Sequence, residues 1–219
     1  MIDQTKIVFS ICSRCETIDH INSLYNCVNS IRKFYNDADI VIVDSNSPNK
    51  NHLDALRNDN CFISDICNTN YEAGAIWDTF KNYNKNTYIF LQDSMILLEN
   101  IDEYLNSDIT ILGGIYRNWE SAGIDSEFAN WSRQNMTYSD YKHLDSGFTI
   151  VQYNSMIISK SLLQKLKDNK LDLVLPTNKI GSCATERTFG IALAQEGYTD
   201  LAKCQLPQNL IYKQWLNRQ

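Results

Sequence analysis

The sequence predicts an α/β fold, with a mostly parallel central sheet flanked by helices. Three observations carry that expectation. Short apolar runs of strand length alternate with stretches whose apolar residues recur at helical spacing. Two of those runs, 40–43 and 88–91, stop on acidic residues, Asp44 and Asp93. The chain has 219 residues, enough to bury one sizeable core.

Each element follows from its local pattern. Residues 6–12 form a first strand. Residues 19–35 form an amphipathic helix, with Ile21, Leu24, Val28 and Ile31 at helical spacing. A second strand covers 39–43, a turn follows at Ser47-Pro48-Asn49, and 52–57 is a short helix. The third strand is 61–66. Residues 71–83 read as a helix with a small face at Ala73-Gly74-Ala75, and the fourth and fifth strands are 88–91 and 109–112. This β-α-β alternation is what a parallel sheet with helices on both faces requires. Residues 113–144 are polar and aromatic without a clear period, which predicts a functional loop with small helices. A strand over 149–158, helices over 161–167 and 185–196, and a strand plus closing segment over 204–216 complete the chain.

Composition removes several function classes. The net charge is −6 and no Lys/Arg-rich run occurs, so the basic footprint of a nucleic-acid binder is missing. No apolar run approaches the roughly 20 residues that span a bilayer. The first residues lack the basic start and long apolar centre of a signal peptide, so the expectation is a cytoplasmic protein. Seven cysteines, an odd number, fit reduced thiols. The sequons at Asn130-Trp131-Ser132 and Asn135-Met136-Thr137 then carry little weight.

Acids that end parallel strands sit in the crevice where ligands of open α/β sheets bind. Asp93 could help hold a divalent cation on a diphosphate, or cap the turn behind it. Asp44 could bond ribose hydroxyls, or shape the turn Ser45-Asn46-Ser47. Ser13 and Arg14 lie in the loop after the first strand, where Arg14 could pair with phosphate in bidentate fashion. That loop, Ser-Ile-Cys-Ser-Arg-Cys, is not a glycine-rich phosphate loop, which counts against dehydrogenases and P-loop enzymes. Cys12 and Cys15 make a C-x-x-C between strand and helix, so a thiol oxidoreductase stays in view. Glu186, placed with Arg187 at a helix start, could deprotonate an acceptor hydroxyl or merely complement the helix dipole. Trp119, Trp131 and Tyr138 could stack on sugars or pack beneath the loop. His20, His52 and His143 share no metal-ligand spacing.

The runs VFSICSR, IVIVDSNS, YEAGAIWDTFKNY, YIFLQDSMIL and ATERTFGIALAQEGY together resemble compact GT-A-fold glycosyltransferases, especially short viral and microbial members. The resemblance spans most of the chain. It implies a single GT-A-like, Rossmann-like domain over 1–219, with a nucleotide-sugar-binding half over about 1–98 and an acceptor half over about 99–219. It implies sugar transfer, of hexosyltransferase type, from a nucleotide-diphosphate donor such as a UDP-sugar to a hydroxyl of a glycan or glycoprotein. Donor contacts carry over to Ser13, Arg14 and Asp44, and Gly74 would flank the sugar diphosphate beside Glu72 and Ala73. The family's D-x-D motif, which binds Mn²⁺ or Mg²⁺, falls on Gln92, Asp93 and Ser94, so Asp93 is the implied metal ligand. The late-helix base falls on Glu186, with Asp93 as its catalytic partner. A non-catalytic nucleotide-sugar or glycan-binding module is the alternative that the single acid of Gln92-Asp93-Ser94 suggests.

Overall fold

The computed structural model describes residues 2–119, 123–136 and 144–215. Thr137, Tyr138, Tyr141 and His143 lie outside the described residues.

The first half alternates as its pattern predicts. Strand β1 (Ile7–Ser13) leads to helix α1 (Ile18–Phe34), β2 (Asp39–Asp44), α2 (Asn51–Asn58), β3 (Phe62–Ser64), α3 (Tyr71–Asn82) and β4 (Thr87–Gln92). The Thr17 hydroxyl caps α1 by accepting from the His20 amide, while Asp19 in its first turn and Arg32 and Lys33 in its last complement the helix dipole. A short strand β5 (Met95–Leu97) follows, then β6 (Ile109–Ile111) and β7 (Ile115–Arg117). The second half holds α4 (Glu127–Asn135), β8 (Thr149–Val151), β9 (Met156–Ser159), α5 (Lys160–Asp168), α6 (Lys179–Gln195) and β10 (Ile211–Lys213). Ser126 and Ser159 accept from the amides of Ala129 and Leu162 and so start α4 and α5.

Six strands form the central sheet in the order β3-β2-β1-β4-β9-β6. The first four run parallel, and β9 runs antiparallel to both β4 and β6. The period-two alternation of the strands divides the core. Val8, Val41, Val43, Tyr88 and Phe90 face a cluster built with α3, α5 and α6. Phe9, Ile11, Ile40, Ile42, Ile89 and Leu91 face a second cluster built with α1 and α2. Each fully buried aliphatic or aromatic side chain contributes on the order of 1.5–3 kcal/mol. Among the described residues no helix is long and apolar enough to cross a membrane.

Strand β5 was not expected, and three further elements depart from the sequence-based expectation. The strand expected over 149–158 is two strands joined by an elbow at Gln152–Asn154, where Tyr153 (φ 63°) and Asn154 (φ 48°) adopt left-handed backbone. The elbow lets β8 pair with β7 while β9 inserts between β4 and β6. Helix α6 starts six residues earlier than expected, capped by Asn178, whose side chain accepts from the Gly181 amide. Gly181 and Ser182 weaken the helical signal there, yet a Cβ at Gly181 would come within 2.9 Å of the Trp131 ring. The glycine is therefore a packing requirement. Residues 113–144, expected as a loop with small helices, also contain strand β7.

Candidate functional site

The parallel register brings three strand ends to one edge of the sheet. Ser13 on β1 stands beside Asp44 on β2, and Cys12 stands beside Gln92 on β4. This is the carboxyl edge, where open α/β sheets hold ligands.

At that edge the two expected acids are sealed in. Asp44 and Asp93 have no exposed surface. Asp44 accepts from the Ser47 amide at 3.1 Å and from the Ser47 hydroxyl, with the Lys50 ammonium 3.8 Å away. Those are the bonds of a turn-forming aspartate. Asp93 accepts from the Ser13 hydroxyl at 2.9 Å, and its carbonyl accepts from the Ser23 hydroxyl at 3.1 Å. It fastens the end of β4 to β1 and α1. Arg14 is exposed at the rim and pairs with Glu16 at 2.9 Å. Gly74 serves close packing: a Cβ there would lie 2.1 Å from the Asn68 side-chain oxygen.

A different set of groups converges on the crevice. Gln92 donates to Glu72, on the first turn of α3, at 2.7 Å. Ser182, on α6, donates to the other oxygen of Glu72 at 3.4 Å. One turn further along α6, Glu186 accepts from the Tyr153 amide at 2.9 Å. The Lys213 ammonium lies 4.3 Å from the centre of the Tyr153 ring. It donates to the Gln92 side-chain oxygen and, at 2.9 Å, to the Ser94 hydroxyl. Glu72, Gln92, Lys213, Tyr153, Glu186 and Ser182 thus form a closed ring drawn from α3, β4, β10, the β8–β9 elbow and α6.

Glu186 therefore does not open a helix, as its sequence position suggested. It lies two turns inside α6, so the helix-dipole explanation for it falls away. Burial pushes its carboxyl up to about 7, and the nearby Glu72 pushes the same way. The Tyr153 amide and the Arg187 guanidinium, 3.8 Å away, pull it back. Such a carboxyl exchanges its proton near neutral pH, which is what a general base needs. The left-handed backbone that aims the Tyr153 amide at it costs on the order of 1–3 kcal/mol.

The residues do not fit a divalent cation. Among the described residues no three His, Cys, Asp or Glu side chains gather around one point. The only carboxylate of the Gln92-Asp93-Ser94 run is buried against Ser13. Hard divalent ions want several anionic oxygens. Asp93, the ligand that the resemblance implies, meets the Ser13 hydroxyl in this structure.

Cys12 packs against the α3–α6 side of the sheet and Cys15 against the α1–α2 side. Each sulfur lies 3.3 Å from a serine hydroxyl, of Ser45 and Ser13 respectively. Trp119 is buried, donates to the Leu144 carbonyl at 3.1 Å and meets Phe148 edge-on, so it packs under the loop. Sequence reasoning missed Lys213, Tyr153 and Ser182. Lys213 is 121 residues from Gln92 and carries no local signal. Only Asn154, a residue tolerant of left-handed backbone, marked the elbow.

No protein-family model and no curated protein matches the chain. Solved structures do. The mannosyltransferase PcManGT from Pyrobaculum calidifontis, in complex with GDP-Man and Mn²⁺, is 11% identical, covers 84% of this chain and 51% of its own, and superposes with a TM-score of 0.51. S. aureus TarS 1–349 is 14% identical over 84% of this chain and 56% of its own, with a TM-score of 0.47. The same TarS fragment in complex with UDP-GlcNAc is 16% identical over 76% of this chain and 48% of its own, with a TM-score of 0.44. The chain spans about half the length of these structures. It has the GT-A-type α/β fold, as the mannosyltransferase superposition shows.

Proposed function

We propose that the chain is a cytosolic glycosyltransferase that moves a sugar from a nucleotide-diphosphate donor to a hydroxyl of a glycan or glycoprotein. The observation that carries the reading is Glu186: a carboxyl raised to about 7, held by the Tyr153 amide beside the carboxyl edge of a GT-A-type sheet. The acceptor oxygen attacks the anomeric carbon and its proton passes to the Glu186 carboxylate. The anomeric carbon–phosphate oxygen bond breaks, and its electron pair leaves with the diphosphate. This arrangement inverts the anomeric centre.

The single buried acid of Gln92-Asp93-Ser94 favours one competing reading, a nucleotide-sugar or glycan-binding module without turnover. Purified protein incubated with a panel of UDP- and GDP-sugars separates the two. Release of UDP or GDP from one donor, accelerated by a hydroxyl acceptor, is the result expected. Donor binding without release across the panel would leave the binding module standing and the transferase refuted.

A further inference from the structure

We propose that Trp215, set against Tyr153, is the platform on which the acceptor lies, and that the acceptor is a pyranose sugar stacked by its apolar face. The proposal rests on the transferase reading and names the substrate class of its acceptor side.

Exposure and place together single out Trp215. Of the four tryptophans, Trp77 and Trp119 are buried, and Trp131 packs where Gly181 lets α6 approach it. Trp215 is 76% exposed. A lone exposed aromatic ring is ordinary on a protein surface. This one is held beside the site. Its ring stands edge-on to Tyr153, with centres 6.1 Å apart and planes at 74°. The Lys213 ammonium, bonded to Gln92 and Ser94, lies 5.7 Å from its centre. The amide of the same Tyr153 donates to Glu186 at 2.9 Å. One residue thus joins the exposed indole to the base. The tail strand delivers the ring there. The Gln214 amide donates to the Ser94 carbonyl at 2.8 Å, so the β10–β5 ladder runs one residue past Lys213. Side chains alternate along a ladder, which puts Lys213 and Trp215 on one face and Tyr212 on the other. Tyr212, 52% exposed, is the aromatic residue that the alternation turns away.

The chemistry of the two surfaces matches. A pyranose has a face of C–H groups and a rim of hydroxyls. Its C–H face suits an indole, which offers a broad, rigid apolar surface at little entropic cost. A sugar lying on that surface keeps its rim free, so one hydroxyl can meet Glu186 while the others stay in water. A serine or threonine side chain has no such face to stack. The position also favours the acceptor over the nucleobase of the donor. The attacking hydroxyl must come within hydrogen-bond reach of the base. Trp215 meets Tyr153 at the elbow before β9, and β9 lies on the far side of β4 from β1 and β2.

The test is release of UDP or GDP from the donor that the protein turns over, measured against rising methyl glycosides of glucose, galactose, mannose and N-acetylglucosamine. Sorbitol and a serine/threonine peptide serve as acceptors without a sugar ring. Expected is acceleration by at least one pyranoside and by neither of the ring-free acceptors. Trp215→Ala should raise the KM for that pyranoside on the order of 10-fold with a smaller change in kcat, because stacking acts in the ground state and the transition state alike. Trp215→Phe should recover much of the loss, and Tyr212→Ala should leave the KM as it is. Acceleration by sorbitol or the peptide that equals the best pyranoside, or acceleration by no pyranoside, would overturn the proposal and keep the transferase reading. So would an unchanged KM in Trp215→Ala; if UDP or GDP binding weakened there instead, the indole would belong to the nucleobase. Failure to release nucleotide from any donor would remove both.

Discussion

Asp44 and Asp93 end two parallel strands with no exposed surface, whereas Glu72 and Glu186 reach the same crevice from helices α3 and α6. The difference lies in what the carboxylates accept. The strand-end acids take hydroxyl and amide bonds from their own neighbourhood: Ser47 for Asp44, Ser13 for Asp93. Those bonds hold turns and strand ends. Glu186 instead takes one amide from a strained elbow and keeps 19% of its side chain exposed. Glu72 takes a side-chain amide and a serine hydroxyl that themselves belong to the ring. The acids that hold the sheet edge and the acids that face the crevice from the helices are thus different residues.

The largest effect should come from breaking the working side. Glu186→Gln should cut transfer by on the order of 10²- to 10⁴-fold with donor affinity nearly unchanged. In the wild type the rate should rise with pH through about 7, because the base works only when ionised, and the variant should lose that rise. Unchanged transfer in Glu186→Gln would remove Glu186 as the base. Stability should move the other way. The folded chain holds the Glu186 proton more tightly than the unfolded chain does. Stability from this group is therefore full below about 4.5 and is lost as pH climbs to about 7. Above pH 7 the glutamine variant should be the more stable in denaturant unfolding, by roughly 1–3 kcal/mol.

A smaller effect tests how α6 is held. A Cβ at Gly190 would lie 2.0 Å from the Thr149 carbonyl oxygen. Gly190→Ala should therefore force α6 away from β8 and cost roughly 1–3 kcal/mol by denaturant unfolding. Because Glu186 rides on the same helix, activity should fall further than donor binding. Full activity at wild-type stability would show that the helix shifts freely.

The smallest effect probes the shaping side. Ser47→Ala removes a hydroxyl that Asp44 accepts from and should cost about 1 kcal/mol with donor affinity intact. If instead stability held and nucleotide affinity collapsed, Asp44 would be a ligand residue and the contrast between the two pairs of acids would fail.

Much of the first half was legible because its signals are local. Period-two apolar runs divide β1, β2 and β4 between two cores, and α1 carries its own cap and its own apolar face. The strand-end acids were visible for the same reason, though sequence could not say whether a ligand or a serine would meet them. Glu186 was visible as an acid near a late helix, but its depth in α6 was hidden. That helix is buried on nearly every side, so it shows no polar face and no amphipathic period. The elbow at Tyr153 was hidden because a tyrosine in left-handed backbone contradicts its intrinsic preference.

Taken alone, the amino-acid order determined the layered α/β architecture and the strands whose ends build the crevice, since propensity and hydrophobic period act over a few residues. The tertiary structure decided which charges face one another there. Gln92 and Lys213 meet across 121 residues, and Tyr153 joins that lysine to Glu186 through its ring on one side and its amide on the other. Pairings of that span are set by how β9 enters the sheet and β10 closes over its edge, and packing of the whole chain, not any local pattern, fixes both.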